Sequence, residues 1–324
     1  MLSLARCLTF ALASVTAVTS TATAAPLTHY LYTSAGELES QTALLARPEI
    51  SGVQVIYNWR RLEPSEGQYD FSAIEADLAL AKAAGKQLFI QIQDRFFSTG
   101  ARYLPEYILT DPDYEGGLVP QYQDLEAKTL VQEGWAARQW NPALRARFQA
   151  LLIALGERFD GEIAGMNLPE TAIEVNAKDP ATGFSCDAYF SATLDTMGAA
   201  RRAFATSAVV QYVNFWPCEW NNDRKYMERV FAFAAENRIG LGGPDIVPWR
   251  KGQMKNAYPF FHSYRGKLPL VAMAIQEPTL AYINPETKKR FTRAEFESFA
   301  SDYLGVNIIF WSAEAPWLAA KPAQ

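Results

Sequence analysis

The sequence predicts a (β/α)8 barrel, and three observations carry the prediction. Eight short apolar runs recur along the 324 residues at strand length, separated by stretches with helical periodicity. Each run but the last is followed by a helical stretch, which implies parallel pairing through right-handed crossovers and, at eight strands, a closed barrel. No Gly-rich phosphate loop follows any strand, which argues against the open, doubly wound sheet.

The first 25 residues stand apart from this pattern. Arg6 is their only charge, Cys7 to Val18 is apolar or small, and Ala22-Thr23-Ala24 offers a small-residue cleavage site. This reads as a secretory signal peptide, leaving residues 26–324 as a single barrel domain. The stretch is too short and too rich in threonine to span a bilayer, and no second segment reaches that length.

The elements follow in order. Thr28 to Thr33 alternates as a short strand, and Gly36 to Ala46 reads as a helix. The β-branched run Gly52 to Tyr57 is the second strand, ending in Asn58, Trp59, Arg60 and Arg61. A helix follows, with Ser72 and Glu75 expected as a capping box and Gly85 as its stop. Lys86 to Gln93 is the third strand, closed by Asp94 and Arg95.

From Phe96 to Trp140 there is no clean periodicity but many aromatics, so a long, structureless functional loop is expected. Asn141-Pro142 then opens a helix running to about Phe159. Strands Glu162 to Asn167 and Ala208 to Asn214 precede helices from about Asp187 to Ala205 and Arg224 to Asn237. Ile239 to Gly242 leads into Gly243-Pro244-Asp245 and an indistinct helix near Gly252 to Tyr264. Leu268 to Ile275 is a continuous apolar run, as expected of a strand covered on both faces, and it ends in Gln276, Glu277 and Pro278. Thr292 and Glu295 form a second capping box, with the helix stopping at Gly305. Asn307 to Trp311 is the eighth strand.

Thirty basic against thirty-five acidic residues give a net charge of −5, or −6 once Arg6 leaves with the leader. With no basic run, nucleic acid is not an expected partner, and a monomer is the default for such a barrel. Of three cysteines, Cys7 lies in the leader. Cys186 and Cys218 follow consecutive strands, and in an oxidising compartment they either pair or remain separate buried thiols.

Barrels of this type place chemistry where the C-terminal strand ends meet. The residues collected there include Asn58, Arg60, Gln93, Asp94, Asn167, Glu170, Asn214, Trp216, Asp245, Gln276, Glu277 and Trp311. Two glutamates at strand ends, Glu170 after the fourth and Glu277 after the seventh, face each other across the mouth. Glycosidic hydrolysis needs such a pair, one protonated to release the leaving oxygen and one ionised at the anomeric carbon. Glu174, four residues beyond Glu170, competes for the upstream role. The amides, Asp94 and Asp245 are candidates to hold hydroxyls, and Trp216 and Trp311 to stack on a sugar face.

Other chemistries are poorly supplied. Only His29 and His262 occur, and there is no Gly-x-Ser-x-Gly elbow, so His-based zinc and Ser-His-Asp sites are hard to build. His262, beside Phe260 and Phe261, reads as a packed residue. Asp94, Asp245 and Glu277 offer oxygen ligands to a cation without any specific spacing. No metal or cofactor is therefore expected, and the alternative to an enzyme is a non-catalytic carbohydrate-binding barrel.

Val53 to Phe71 contains Trp59, Leu62, Glu63, Pro64, Glu66, Gly67, Tyr69, Asp70 and Phe71. This stretch resembles the second-strand region of retaining (β/α)8 glycoside hydrolases, the clan of many endoglucanases, xylanases, mannanases and β-galactosidases. The resemblance implies Glu170 as acid/base, Glu277 as nucleophile and Trp311 as the stacking indole. The clan usually has Asn directly before its acid/base Glu, whereas Asn167, Leu168 and Pro169 precede Glu170 here. That departure keeps Glu174 as an alternative.

Overall fold

The computed structural model describes residues 26–319, so the expected leader lies outside the described residues. In chain order the strands are β1 (Thr28–Ser34), β2 (Ile50–Asn58), β3 (Gln87–Gln93), β4 (Arg95–Phe96), β5 (Leu118–Tyr122), β6 (Gln132–Ala137), β7 (Gly165–Leu168), β8 (Ala208–Tyr212), β9 (Gly240–Gly243), β10 (Val271–Ile275) and β11 (Ile308–Ser312). Eight of them close a parallel barrel in the order β1-β2-β3-β7-β8-β9-β10-β11, with β11 pairing back onto β1. The predicted fold class is the observed one.

Side chains alternate across each strand, so a barrel strand can contribute to two cores. Tyr30, Phe89, Val210, Tyr212, Ala272, Ala274, Ile308 and Phe310 fill the interior. The opposite parity, including Val53, Val55, Ile90, Met273, Ile275, Ile309 and Trp311, packs outward in the layer shared with the helices. Large rings inside a narrow barrel require small neighbours. A Cβ at Gly165 would lie 2.4 Å from Phe89 Cζ, and one at Gly242 would lie 1.8 Å from the Ala272 carbonyl oxygen.

Several local expectations change. Gly36 to Ala46 is broken into a 3-10 turn at Leu38–Gln41 and a short helix at Thr42–Leu45. The helix Ser72–Ala83 lacks its expected capping box. Asp70 Oδ1 accepts the Ser72 N–H at 3.0 Å instead, and Glu75 accepts from Arg158 Nε at 2.8 Å. Thr292 and Glu295 do form a capping box, and the helix Arg293–Ser298 runs on into a π-helical turn that ends at Gly305. Asn141 caps the helix Pro142–Phe159 as expected, accepting from Leu144 N at 3.0 Å.

The segment after β3 is not structureless. It holds a helix at Glu106–Thr110 and a three-stranded antiparallel sheet of order β4-β6-β5. Strands this short, with a register shift in β5–β6, leave little alternation to read. Many of the aromatics pack the insertion against itself and the barrel; Trp140, for example, meets Phe184 edge-on at 5.0 Å.

The stretch after β2 is a structural clasp. Glu63, 0% exposed, accepts from Trp59 Nε1 at 2.7 Å and from Gly67 N at 2.9 Å, and pairs with Arg147 on the helix Pro142–Phe159. A buried carboxylate is tolerated only when its oxygens are fully engaged. Replacing Glu63 by Ala leaves the Trp59 N–H without its acceptor and Arg147 with only the Tyr107 hydroxyl at 3.2 Å and the exposed Glu66 at 3.8 Å. The expected cost is about 3–5 kcal/mol, read as a fall in unfolding midpoint. A loss below about 1 kcal/mol would show that the clasp relaxes around the gap.

Cys186 and Cys218 form a disulfide with Cα atoms 6.2 Å apart, which resolves the two readings in favour of pairing. It ties the start of the helix Cys186–Ala203 to the loop after β8. Among the described residues no helix is long and apolar enough to cross a membrane.

Candidate active site

Glu170 is held by the segment that leaves β7. Gln211 Nε2 donates to the Pro169 carbonyl at 2.5 Å, Thr171 N donates to the Tyr212 carbonyl at 3.0 Å, and Thr171 Oγ1 donates to the Phe215 carbonyl at 2.9 Å. Backbone fastened on both sides fixes where the Glu170 side chain starts. Asn214 Nδ2 reaches Glu170 Oε2 at 3.5 Å, and Asn214 Oδ1 in turn accepts from Gln253.

The Glu170 carboxyl is pushed up to about 7 by burial, which outweighs the opposing Arg95 charge and the Asn214 contact. Asp245 and Asp94 push in the same upward direction. A carboxyl protonated near neutral pH suits a general acid.

Glu277 follows β10 at the start of a single helical turn, Glu277–Leu280, and is exposed at the mouth. Ser312 Oγ donates to Glu277 Oε1 at 2.5 Å. Ser312 ends β11 on the interior parity, which explains its reach. Tyr32, also at the mouth, has its hydroxyl pushed up by burial first and then by the charges of Glu277, Asp245 and Glu170. Tyr32 on β1 thus lies within electrostatic reach of all three carboxylates. Asp245 is raised chiefly by burial and also by Glu277, while Thr279 Oγ1 donates to its Oδ1.

The other expected residues divide. Asn214 and Asp245 are at the site, and Gln93 is partly buried at the end of β3, accepting from Gln91 Nε2 at 3.4 Å. Asn167 lies one layer deeper, fully buried, its Oδ1 accepting from Gln54 Nε2 at 3.0 Å. Asn58 spends its side-chain oxygen as a helix cap, accepting from Arg61 N at 3.1 Å.

Four expectations are corrected. Arg60 is turned to the insertion, where Nε donates to the Leu104 carbonyl at 2.8 Å and Nη2 to the Arg102 carbonyl at 2.6 Å. Asp94 is 0% exposed, paired with Arg95 and accepting from Gln139 Nε2 at 2.7 Å, so it faces the protein rather than a substrate. Trp216 is buried among Tyr189, Phe190 and Tyr226, with no open ring face.

Trp311 is likewise buried, donating from Nε1 to His29 Nδ1 at 3.1 Å and packing on Phe296 and Trp317 behind the sheet. Period-2 alternation places it opposite Ser312, away from the mouth. The same alternation puts Ser312 on the face opposite Trp311, and packing in the barrel decides that this face points inward. Arg95 and Gln253, by contrast, are placed only by tertiary packing.

Glu174 is partly buried on the wall of a cavity of about 920 Å³ beside the mouth. Its carboxyl is raised by burial and by Asp124 and Glu133. Among the described residues no group of three or more His, Cys, Asp or Glu side chains is arranged to hold a metal ion.

No protein-family model and no curated protein matches the sequence. Solved structures do match it. The catalytic domain of β-amylase from Paenibacillus polymyxa is 10% identical with a TM-score of 0.57, over 89% of this chain and 93% of that one. A GH10 endoxylanase retrieved from a sugarcane soil metagenome is 12% identical with a TM-score of 0.52, over 92% and 89%. Endo-glycoceramidase II from a Rhodococcus species is 12% identical with a TM-score of 0.52, over 89% of this chain and 73% of that one. At such identity the likeness is one of fold: this chain shares the (β/α)8 barrel of these glycoside hydrolases.

Proposed function

We propose that this protein is a secreted or periplasmic glycoside hydrolase of retaining type, with Glu170 as general acid/base and Glu277 as nucleophile. The observation that carries the reading is the contrast between the two glutamates on one barrel mouth. Glu170 is half-buried with its carboxyl pushed up to about 7, whereas Glu277 is exposed and held by the Ser312 hydroxyl. Environments that separate two carboxyls in this way assign acid and nucleophile roles. The disulfide supports an oxidising compartment.

In the first step Glu170 gives its proton to the glycosidic oxygen as Glu277 attacks the anomeric carbon, breaking the C–O bond and forming a glycosyl ester. In the second, Glu170, now ionised, takes a proton from water, whose oxygen displaces Glu277 and restores both carboxyls. Ser312 fixes which Glu277 oxygen is engaged and leaves the other to attack.

The test is a panel of aryl glycosides and polysaccharides, with product anomers followed by proton NMR. At least one member is expected to be cleaved with its anomeric configuration kept in the first-formed product. Inverted product would replace the nucleophile by a base acting through water. No cleavage anywhere in the panel, with binding retained, would favour a non-catalytic carbohydrate-binding barrel.

A further inference from the structure

The cavity of about 920 Å³ is not used by the chemistry just described. It opens beside the mouth, between the insertion loop at 123–130 and the loops after β7, β8 and β9. Asn214, whose Nδ2 reaches Glu170 at 3.5 Å, and Asp245 line it. Its size lies at the upper end of small-molecule sites, about 300–1,000 Å³, and a single sugar would leave most of it empty.

Two features of the lining point to a ligand. Trp220, 57% exposed, presents an indole to the cavity beside the Lys255 ammonium, which lies 4.7 Å from the ring centroid. The wall also carries the side-chain amides of Gln123, Asn176 and Gln253. An aromatic face and amides on one wall suit the C–H face and the hydroxyls of a sugar.

The charge of the lining narrows the class. Six acidic residues, Glu174 and Asp124 among them, line it with Lys178 and Arg250, and Lys255 stands beside Trp220, so acidic groups outnumber basic ones two to one. An anionic chain would meet like charge there.

We propose that this cavity holds the extension of a non-anionic glycan chain whose scissile end lies at Glu170 and Glu277. The choice of a glycan rests on the hydrolase reading, but binding in the cavity requires no turnover. Glu174 then serves as a hydroxyl- or amine-binding residue on the cavity wall rather than as an acid/base group.

The test is calorimetric titration of the purified protein with xylohexaose, maltohexaose, a glucosamine hexamer and a galacturonate hexamer. At least one of the first three is expected to bind, its disaccharide at least about tenfold more weakly, and the galacturonate hexamer not at all. Trp220→Ala should weaken the bound hexamer by about tenfold, and Trp220→Phe should recover most of that loss. Trp220 is exposed, so an unchanged unfolding midpoint is the control for folding.

The proposal is overturned if no hexamer binds, if galacturonate binds equally well, or if Trp220→Ala changes nothing. A hexamer that binds but is never cut removes the hydrolase reading and upholds the cavity. Cleavage indifferent to chain length and to Trp220 does the reverse.

Discussion

Glu277→Gln is expected to lower turnover on the order of 10⁴-fold while leaving the protein folded and able to bind its glycan. The amide cannot attack the anomeric carbon, so the covalent route closes. Structurally the change is small, because Glu277 is exposed and, among the described residues, its one side-chain hydrogen bond comes from Ser312. A lost or altered bond of that kind is worth about 1 kcal/mol, a minor effect on the unfolding midpoint. The pairing of near-zero turnover with near-normal stability is the signature to look for. A variant retaining turnover within about tenfold would remove Glu277 from the nucleophile role.

Glu170→Gln should abolish acid catalysis and, unusually for an active-site change, stabilise the protein at alkaline pH. In the folded chain this carboxyl is pushed up to about 7 by burial, against an ordinary value of 4.5. Between those values the folded state holds a proton that the unfolded state has lost, so stability falls as pH rises through the window. Below about pH 4.5 both states are protonated and the penalty is absent; above about 7 it is complete.

Glutamine carries no charge at any pH. The variant should therefore match the wild type near pH 4 and exceed it at pH 8 by at most about 3 kcal/mol, or several degrees in midpoint. In the wild type the same titration should appear as the alkaline limb of kcat/KM near pH 7, because the acid must be protonated in the free enzyme. A midpoint difference that is flat from pH 4 to pH 8 would place the titration elsewhere.

The two variants also address different parts of the site. Glu277 stands at an open position with Ser312 as its side-chain hydrogen-bond partner among the described residues, so its replacement reads out chemistry. Glu170 is half-buried and feels Arg95, Asn214 and Asp245, so its replacement reads out electrostatics as well. A low-dielectric pocket amplifies each neighbouring charge, and Arg95 moderates the shift that burial imposes.

Much was determined by the sequence alone. Eight apolar runs alternating with helical stretches are enough for the barrel, because strand and helix periods are local and the crossover rule leaves few topologies. Glu170 and Glu277 were legible as strand-end carboxylates because a buried run that ends in an acid leaves that acid at the rim. The Asn141 cap and the Thr292–Glu295 box were legible for the same reason: each partner lies within one turn.

What only the tertiary structure decided involves partners distant in sequence or the face a side chain takes. Asp94 looked like a rim carboxylate until Arg95 and Gln139 enclosed it. Trp311 was expected to end the last strand, but β11 runs on to Ser312, and packing turns Trp311 behind the sheet and brings Ser312 to Glu277. The cavity between the insertion and the β7–β9 loops, with Glu174 on its wall, is assembled from segments more than a hundred residues apart, and no local period encodes that meeting.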